Sequence, residues 1–79
     1  MELKAEVFDL IAKTFDVAKE QLAESQRLYD SLGVDSTEMV EMVVALNRHF
    51  GVKIETNEVT KFSTPLEIVD TVQAKKAVV

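Results

Sequence analysis

The stretch that decides the fold is residues 33–51, GVDSTEMVEMVVALNRHFG, which begins and ends with the only two glycines of the chain. Between these glycines there is no proline, and apolar residues recur at the three- and four-residue spacing of a helix. Asp35, followed three residues later by Glu38, is typical of an N-terminal capping box, and Gly51 stands where a helix ends. The sequence therefore predicts a helix over residues 37–50, capped by Asp35.

The apolar side of this helix is wider than one buried stripe requires. Either the helix lies near the centre of the protein, or part of this side meets a partner. The apolar residues are Met39, Val40, Met42, Val43, Val44, Leu46 and Phe50.

On the N-terminal side, an apolar stripe predicts a helix over about residues 2–14. Residues 16–33 lack a helical period and predict a long structured loop, and long loops inside compact domains are often functional. We expect five side chains to hold this loop against the core, namely Val17, Leu22, Leu28, Tyr29 and Leu32.

On the C-terminal side, residues 52–54 predict a connector and residues 55–62 a weak, short helix. A helix is predicted to begin at Pro65, with Thr64 as its N-cap and Glu67 completing a capping box. This last helix is expected to end near residues 75–76 and to turn Leu66, Val69 and Val72 inward. The prediction is a single all-α domain over residues 1–79, a four-helix bundle with a long first loop and a short third helix.

Composition excludes several classes of function for this chain. Nine Lys and Arg against 14 Asp and Glu give a net charge of -5, which argues against a nucleic-acid partner. The chain has no cysteine, so no side chain offers a disulfide, a thiolate zinc ligand or a thiol nucleophile. No apolar run approaches the ~18 residues of a membrane span. We expect a soluble, cytoplasmic protein that acts as a monomer.

No histidine lies near enough to Ser36 to act as the general base that a catalytic serine requires. His49 is the only histidine, and it lies 13 residues further along the same predicted helix, roughly 20 Å away at the α-helical rise. The acidic pairs Glu38 with Glu41 and Glu55 with Glu58 have a spacing that is common on solvated faces. No metal-binding loop is present. We therefore expect no enzyme activity and no metal site.

Ser36 is nevertheless distinctive, because it stands at the start of the predicted helix. The first N–H groups of a helix lack internal partners and lie at the positive end of the macrodipole, which favours a phosphate on this hydroxyl. The alternative is a plain polar residue at a helix start.

Residues 32–41, LGVDSTEMVE, resemble the attachment motif of the acyl carrier proteins, and length, acidity and helix order resemble that family over nearly the whole chain. The resemblance implies 4′-phosphopantetheine on Ser36, attached by a phosphopantetheinyl transferase that uses coenzyme A. The thiol of that arm would hold acyl intermediates as thioesters, which fits a chain without cysteine.

The resemblance also implies a docking surface for acyl-loading and acyl-processing enzymes with basic patches. Val44 is either part of this surface or part of the core, and each carboxylate is either a contact or plain solvated surface. The residues at the matching positions are Asp35, Thr37, Glu38, Glu41, Val44, Glu55 and Glu58.

In the family an acyl chain can fold back between the second and third helices. The alternative for apolar residues at helical spacing is plain core. The candidates to line such a cleft are Met39, Leu46, Ile54, Val59 and Phe62.

Two departures from the family pattern favour a specialised pathway over housekeeping fatty-acid biosynthesis. Thr37 replaces the usual leucine after the serine, and residues 47–49, NRH, interrupt the acidic stripe of the helix. Polyketide or related biosynthesis therefore stays open. A peptidyl or aminoacyl carrier also stays open, although the Gly-Val-Asp before the serine argues against it, and so does a helical interaction module that carries no modification.

Overall fold

The computed structural model describes residues 2–77, so Met1, Val78 and Val79 of the predicted domain lie outside the described residues. The described chain is all-helical, without a strand, and the prediction of an all-α fold with four helices is confirmed. The α-helices are α1 (Leu3–Phe15), α2 (Leu28–Leu32), α3 (Ser36–Phe50) and α4 (Pro65–Ala77), and a 3-10 turn spans Lys19–Gln21.

The short helix does not lie where the sequence predicts it. Residues 55–62 form turns and bends, so the predicted short third helix is wrong at this position. Side-chain oxygens take backbone N–H groups that a helix would use: Ser63 Oγ accepts from Thr60 N at 3.1 Å, and Thr60 Oγ1 accepts from Phe62 N at 3.2 Å. Such local bonds compete directly with helical hydrogen bonding.

The short helix is α2, inside the segment predicted as a long loop. Its first two N–H groups donate to carbonyls of a distant segment, Leu28 N to Ser63 O at 3.0 Å and Tyr29 N to Lys61 O at 2.8 Å. These bonds satisfy donors that have no partner within the helix. The side chain of Leu28 is buried as expected, whereas that of Tyr29 is 49% exposed and does not hold the loop to the core.

The core lies between α1, α3 and α4, since α1 packs against both of the other long helices. Val69 and Val72 of α4 are buried as predicted, but Leu66 is only half-buried and Ile68 takes the inward position. The most deeply buried core side chains are Val7, Ile11, Leu28, Met42, Leu46, Val59, Ile68 and Val72.

Both glycines end helices. Gly33 (φ +67°) follows α2 and Gly51 (φ +65°) follows α3, each in the left-handed conformation that glycine adopts without steric cost. At the start of α4, Thr64 N donates to Glu67 Oε1 at 2.8 Å and Glu67 N donates to Thr64 Oγ1 at 3.1 Å, which confirms the predicted capping box.

Asn47 connects α3 to the segment that follows it. Its Nδ2 donates to the Ile54 carbonyl at 3.1 Å, and its Oδ1 accepts from Ile54 N at 2.8 Å. The side chain of Ile54 is buried, so this pair of bonds fixes the peptide that directs it into the core. Sequence reasoning treated Asn47 only as a gap in an acidic stripe and missed this role.

We predict that Asn47→Ala lowers the free energy of unfolding by about 1–3 kcal/mol, because it leaves the partly buried N–H and C=O of Ile54 without their partner. Urea unfolding followed by circular dichroism measures the change. Asn57→Ala, in an exposed turn, is the matched control and should change stability by less than about 0.5 kcal/mol. Equal losses in the two variants would contradict the role of Asn47.

Candidate functional site

Ser36 is the first residue of α3, and its side chain is exposed. Its position is set by a reciprocal pair of hydrogen bonds on either side of it. Glu38 N donates to Asp35 Oδ1 at 2.8 Å, and Asp35 N donates to Glu38 Oε1 at 3.0 Å. This is the predicted capping box, and it holds the Ser36 hydroxyl at the helix start, open to solvent.

The start of α3 suits an esterified phosphate. The helix is 15 residues long, so its aligned peptides place a positive partial charge at the end that carries Ser36. The capping box takes up one of the first N–H groups, and the neighbouring N–H groups of the first turn have no acceptor one turn earlier. An exposed hydroxyl in this field fits phosphopantetheine attachment.

A cavity of about 350 Å³ lies beside Ser36, between α3 and the turns of residues 55–62. Of the predicted cleft residues, Met39, Val59 and Phe62 line it, whereas Leu46 and Ile54 do not. Leu46 (0% exposed) and Ile54 (4%) lie within the core. The residues of the described chain that line it are Ser36, Met39, Val40, Thr56, Val59, Thr60, Lys61 and Phe62.

Sequence reasoning missed four of these residues. Val40 lies on α3 beside Met39, and it could have been found from helical periodicity, since Ser36 and Val40 are four residues apart. Thr56, Thr60 and Lys61 carry no sequence signal, because they reach the cavity only through the turns that replace the predicted helix.

The residues predicted for partner docking differ in exposure and in whether their side chains already accept hydrogen bonds within the protein. The carboxylates of Asp35 and Glu38 already accept hydrogen bonds within the capping box. Glu41 is exposed on α3, and Thr37 is exposed beside Ser36. Val44 is 48% exposed, so the structure places this residue on the surface and not in the core, one turn from Val40 (47%).

Glu55 and Glu58 are both exposed, but Glu58 is bound within the protein. Its Oε1 lies 2.8 Å from Lys75 Nζ on α4, and its Oε2 accepts from Glu55 N. The hydrogen bond from Lys75, followed by that from the Glu55 backbone, holds the pKa of the Glu58 carboxyl below its usual range. Glu58 therefore ties the turns that line the cavity to α4.

The only histidine of the sequence is far from Ser36 in the structure. His49 stands near the other end of the same unbroken helix, and its ring packs edge-on against Phe50 at 4.7 Å between centroids. Within residues 2–77 no group of His, Asp and Glu is arranged to hold a metal ion. None of the helices described is long and apolar enough to cross a membrane.

Comparison with known proteins agrees with this geometry. The family described as "Phosphopantetheine attachment site" matches residues 5–72. Three proteins named "Acyl carrier protein" are similar over most of their lengths. That of Chloroherpeton thalassium is 31% identical over 75 residues, covering 95% of this chain and 94% of its own. That of Chlorobium phaeobacteroides is 31% identical (94% and 95% covered), and that of Thermotoga maritima 32% (94% and 91%).

The helical fold, the exposed serine at a capped helix start and this match define a phosphopantetheine-carrying domain. Within that class, the chain belongs to the acyl carrier protein family. Its cofactor is covalently attached 4′-phosphopantetheine, and proteins of this family are carriers rather than catalysts.

We predict that Glu58→Gln destabilises the protein at neutral pH and that the difference from the wild type disappears in acid. The folded-state pKa of Glu58 lies below its ordinary value of 4.5, so its contribution is complete above that value and is lost as the pH falls through the folded pKa. Urea unfolding between pH 7 and about pH 3 measures this. Glu55→Gln is the control, and a difference that persisted unchanged in acid would contradict the prediction.

Proposed function

We propose that Ser36 is the residue to which phosphopantetheine is attached, and that the chain carries acyl groups on this arm between partner enzymes. The observation that carries the proposal is the exposed Ser36 hydroxyl at the capped start of α3, beside an open cavity. When bound, the group supplies a thiol that holds an acyl group as a thioester, and no cysteine of the chain competes with it.

The residues around Ser36 have separate tasks in this proposal. Asp35 and Glu38 fix the backbone on either side of Ser36, so the position of the hydroxyl that a transferase must reach is defined before binding. The positive end of α3 stabilises the negative charge of the phosphodiester. The apolar lining of Met39 and Val59 gives a carried acyl chain a place away from water.

The partner surface that we propose is smaller than the sequence suggested. The exposed residues of α3 after Ser36 include Thr37, Glu41 and Val44. A partner can contact these three side chains without breaking a bond within the protein. Asp35 and Glu38 can contact a partner only while their carboxylates also serve the cap. Glu55 is exposed, whereas Glu58 would have to release Lys75 to pair with a partner.

The pathway that we favour is a specialised one, of fatty-acid, polyketide or related type. Thr37 is exposed beside the attachment site, where the family usually has a leucine. Arg48 and His49 are exposed at the far end of α3, so the acidic surface does not continue along the whole helix. Partner enzymes that require a continuous acidic helix would bind this protein weakly. The cytoplasmic location and the monomeric state stay predictions.

A peptidyl or aminoacyl carrier is the alternative nearest in kind, because it has the same arm and differs only in its cargo. The apolar part of the cavity lining favours the acyl type. Identification of the thioester formed in the native host distinguishes the two. An interaction module without the modification is a more distant alternative, and intact-mass spectrometry after incubation with a transferase separates it from a carrier.

We expect incubation with coenzyme A, Mg²⁺ and a broad-specificity phosphopantetheinyl transferase to add the mass of phosphopantetheine to the wild type and nothing to Ser36→Ala. Intact-mass spectrometry measures both. Ser31→Ala is a matched control, because Ser31 lies on α2 before the motif, and it should be modified like the wild type. An unmodified wild type, or a modified Ser36→Ala, would disprove the attachment site.

We predict that Glu41→Lys lowers kcat/KM of the transferase for this protein by a factor of about 1.4–5 at low salt, because exposed ion pairs are worth about 0.2–1 kcal/mol. The loss should shrink as ionic strength rises and screens exposed charges. Asp70→Lys makes the same charge change on an exposed position of α4 and is the control. If both variants lose activity equally, net charge and not the α3 surface guides docking.

A further inference from the structure

Lys61 is the positively charged residue among those that line the cavity beside Ser36. Its ammonium lies over two aromatic rings, 5.0 Å from the ring centroid of Tyr29 and 5.4 Å from that of Phe62. The two rings pack against each other at 5.9 Å and are about half exposed, 49% and 54%. The backbone bond from Tyr29 N to Lys61 O holds the segments together, so this arrangement is built into the fold.

The charge of Lys61 is not neutralised by a carboxylate of the described chain. A cation over an aromatic ring keeps its full charge, and such contacts are weak when exposed to water. Arg27, the other cation near Phe62, is already paired with Asp30 at 2.8 Å. The ion pairs among residues 2–77 are Lys4–Glu24, Lys19–Asp9, Arg27–Asp30 and Lys75–Glu58.

The cavity has two chemically different sides. Met39 and Val40 of α3, with Val59, supply apolar surface, whereas Thr56 and Lys61 supply polar groups from the turns. At about 350 Å³ the cavity is near the lower end of the ~300–1,000 Å³ of small-molecule sites. It therefore fits a short ligand that has an apolar body and a negatively charged end.

Ser36 lines the same cavity, so a group tethered to its hydroxyl is held close to Lys61 at high effective concentration. Building on the function proposed above, we propose that this cavity selects short acyl groups that end in a carboxylate, with Lys61 as the specificity-determining residue. The apolar side contacts the carbon chain, and the Lys61 ammonium binds the terminal carboxylate through a charge-assisted hydrogen bond.

The test loads the wild type with two six-carbon acyl groups, hexanoyl and 5-carboxypentanoyl, through a phosphopantetheinyl transferase and the corresponding acyl-coenzyme A. The rate of thioester cleavage by hydroxylamine is divided by the rate for the same thioester free in solution. We expect the wild type to protect the carboxylated group about threefold more than hexanoyl, the size of one partly exposed ion pair. Lys61→Met should abolish this difference, and Lys61→Arg should keep it.

Arg27→Met is the matched control, because it removes one positive charge next to Phe62 from a residue that does not line the cavity. It should leave the preference unchanged. Equal protection of the two acyl groups by the wild type would overturn the proposal. An equal loss of preference in Arg27→Met and Lys61→Met would also overturn it, since the effect would then come from general charge.

The phosphodiester of the arm is a second anion that Lys61 could bind. The form that carries the arm without an acyl group distinguishes binding of the phosphodiester from binding of the acyl carboxylate. If Lys61→Met lowers the melting temperature of this form by as much as it lowers that of the carboxylated form, Lys61 binds the phosphodiester and the selectivity is disproved. A wild type that the transferase does not load contradicts the carrier function itself. A loaded wild type without selectivity contradicts only the role of Lys61.

Discussion

The reciprocal hydrogen bonds between Asp35 and Glu38 are the interaction on which the site depends. They lie just after Gly33, the left-handed residue that ends α2, and they start α3 with Ser36 as its first residue, exposed to solvent. Such a cap contributes about 0.5–2 kcal/mol to stability. Its larger effect is positional, because the helix dipole and the cavity act on the serine only when α3 begins at this residue.

The turns of residues 55–62, which form the side of the cavity opposite α3, are held in place by a second set of contacts. Asn47 of α3 fixes the backbone of Ile54, Glu58 binds Lys75 of α4, and the carbonyls of Lys61 and Ser63 accept from the start of α2. Each contact joins the turns to a different helix.

The prediction of the short helix failed for a physical reason that particular residues explain. Residues 55–62 have the polar and apolar spacing of a weak helix, but the hydroxyls of Thr60 and Ser63 accept from backbone N–H groups of this segment and stabilise turns instead. At α2 the opposite holds, since its first N–H groups find acceptors only in a segment some thirty residues away. Local pattern cannot indicate a helix whose start is satisfied by a distant part of the chain.

The sequence by itself determined the all-α class, the start and end of α3, and the place of Ser36, because capping boxes and glycine ends are local signals. The family followed from the same residues. Only the tertiary structure decided which side chains share the cavity, that Val44 is exposed while Leu46 is core, and that Lys61 lines the same cavity as Ser36. These properties depend on contacts between distant segments, which the spacing of residues along the chain does not encode.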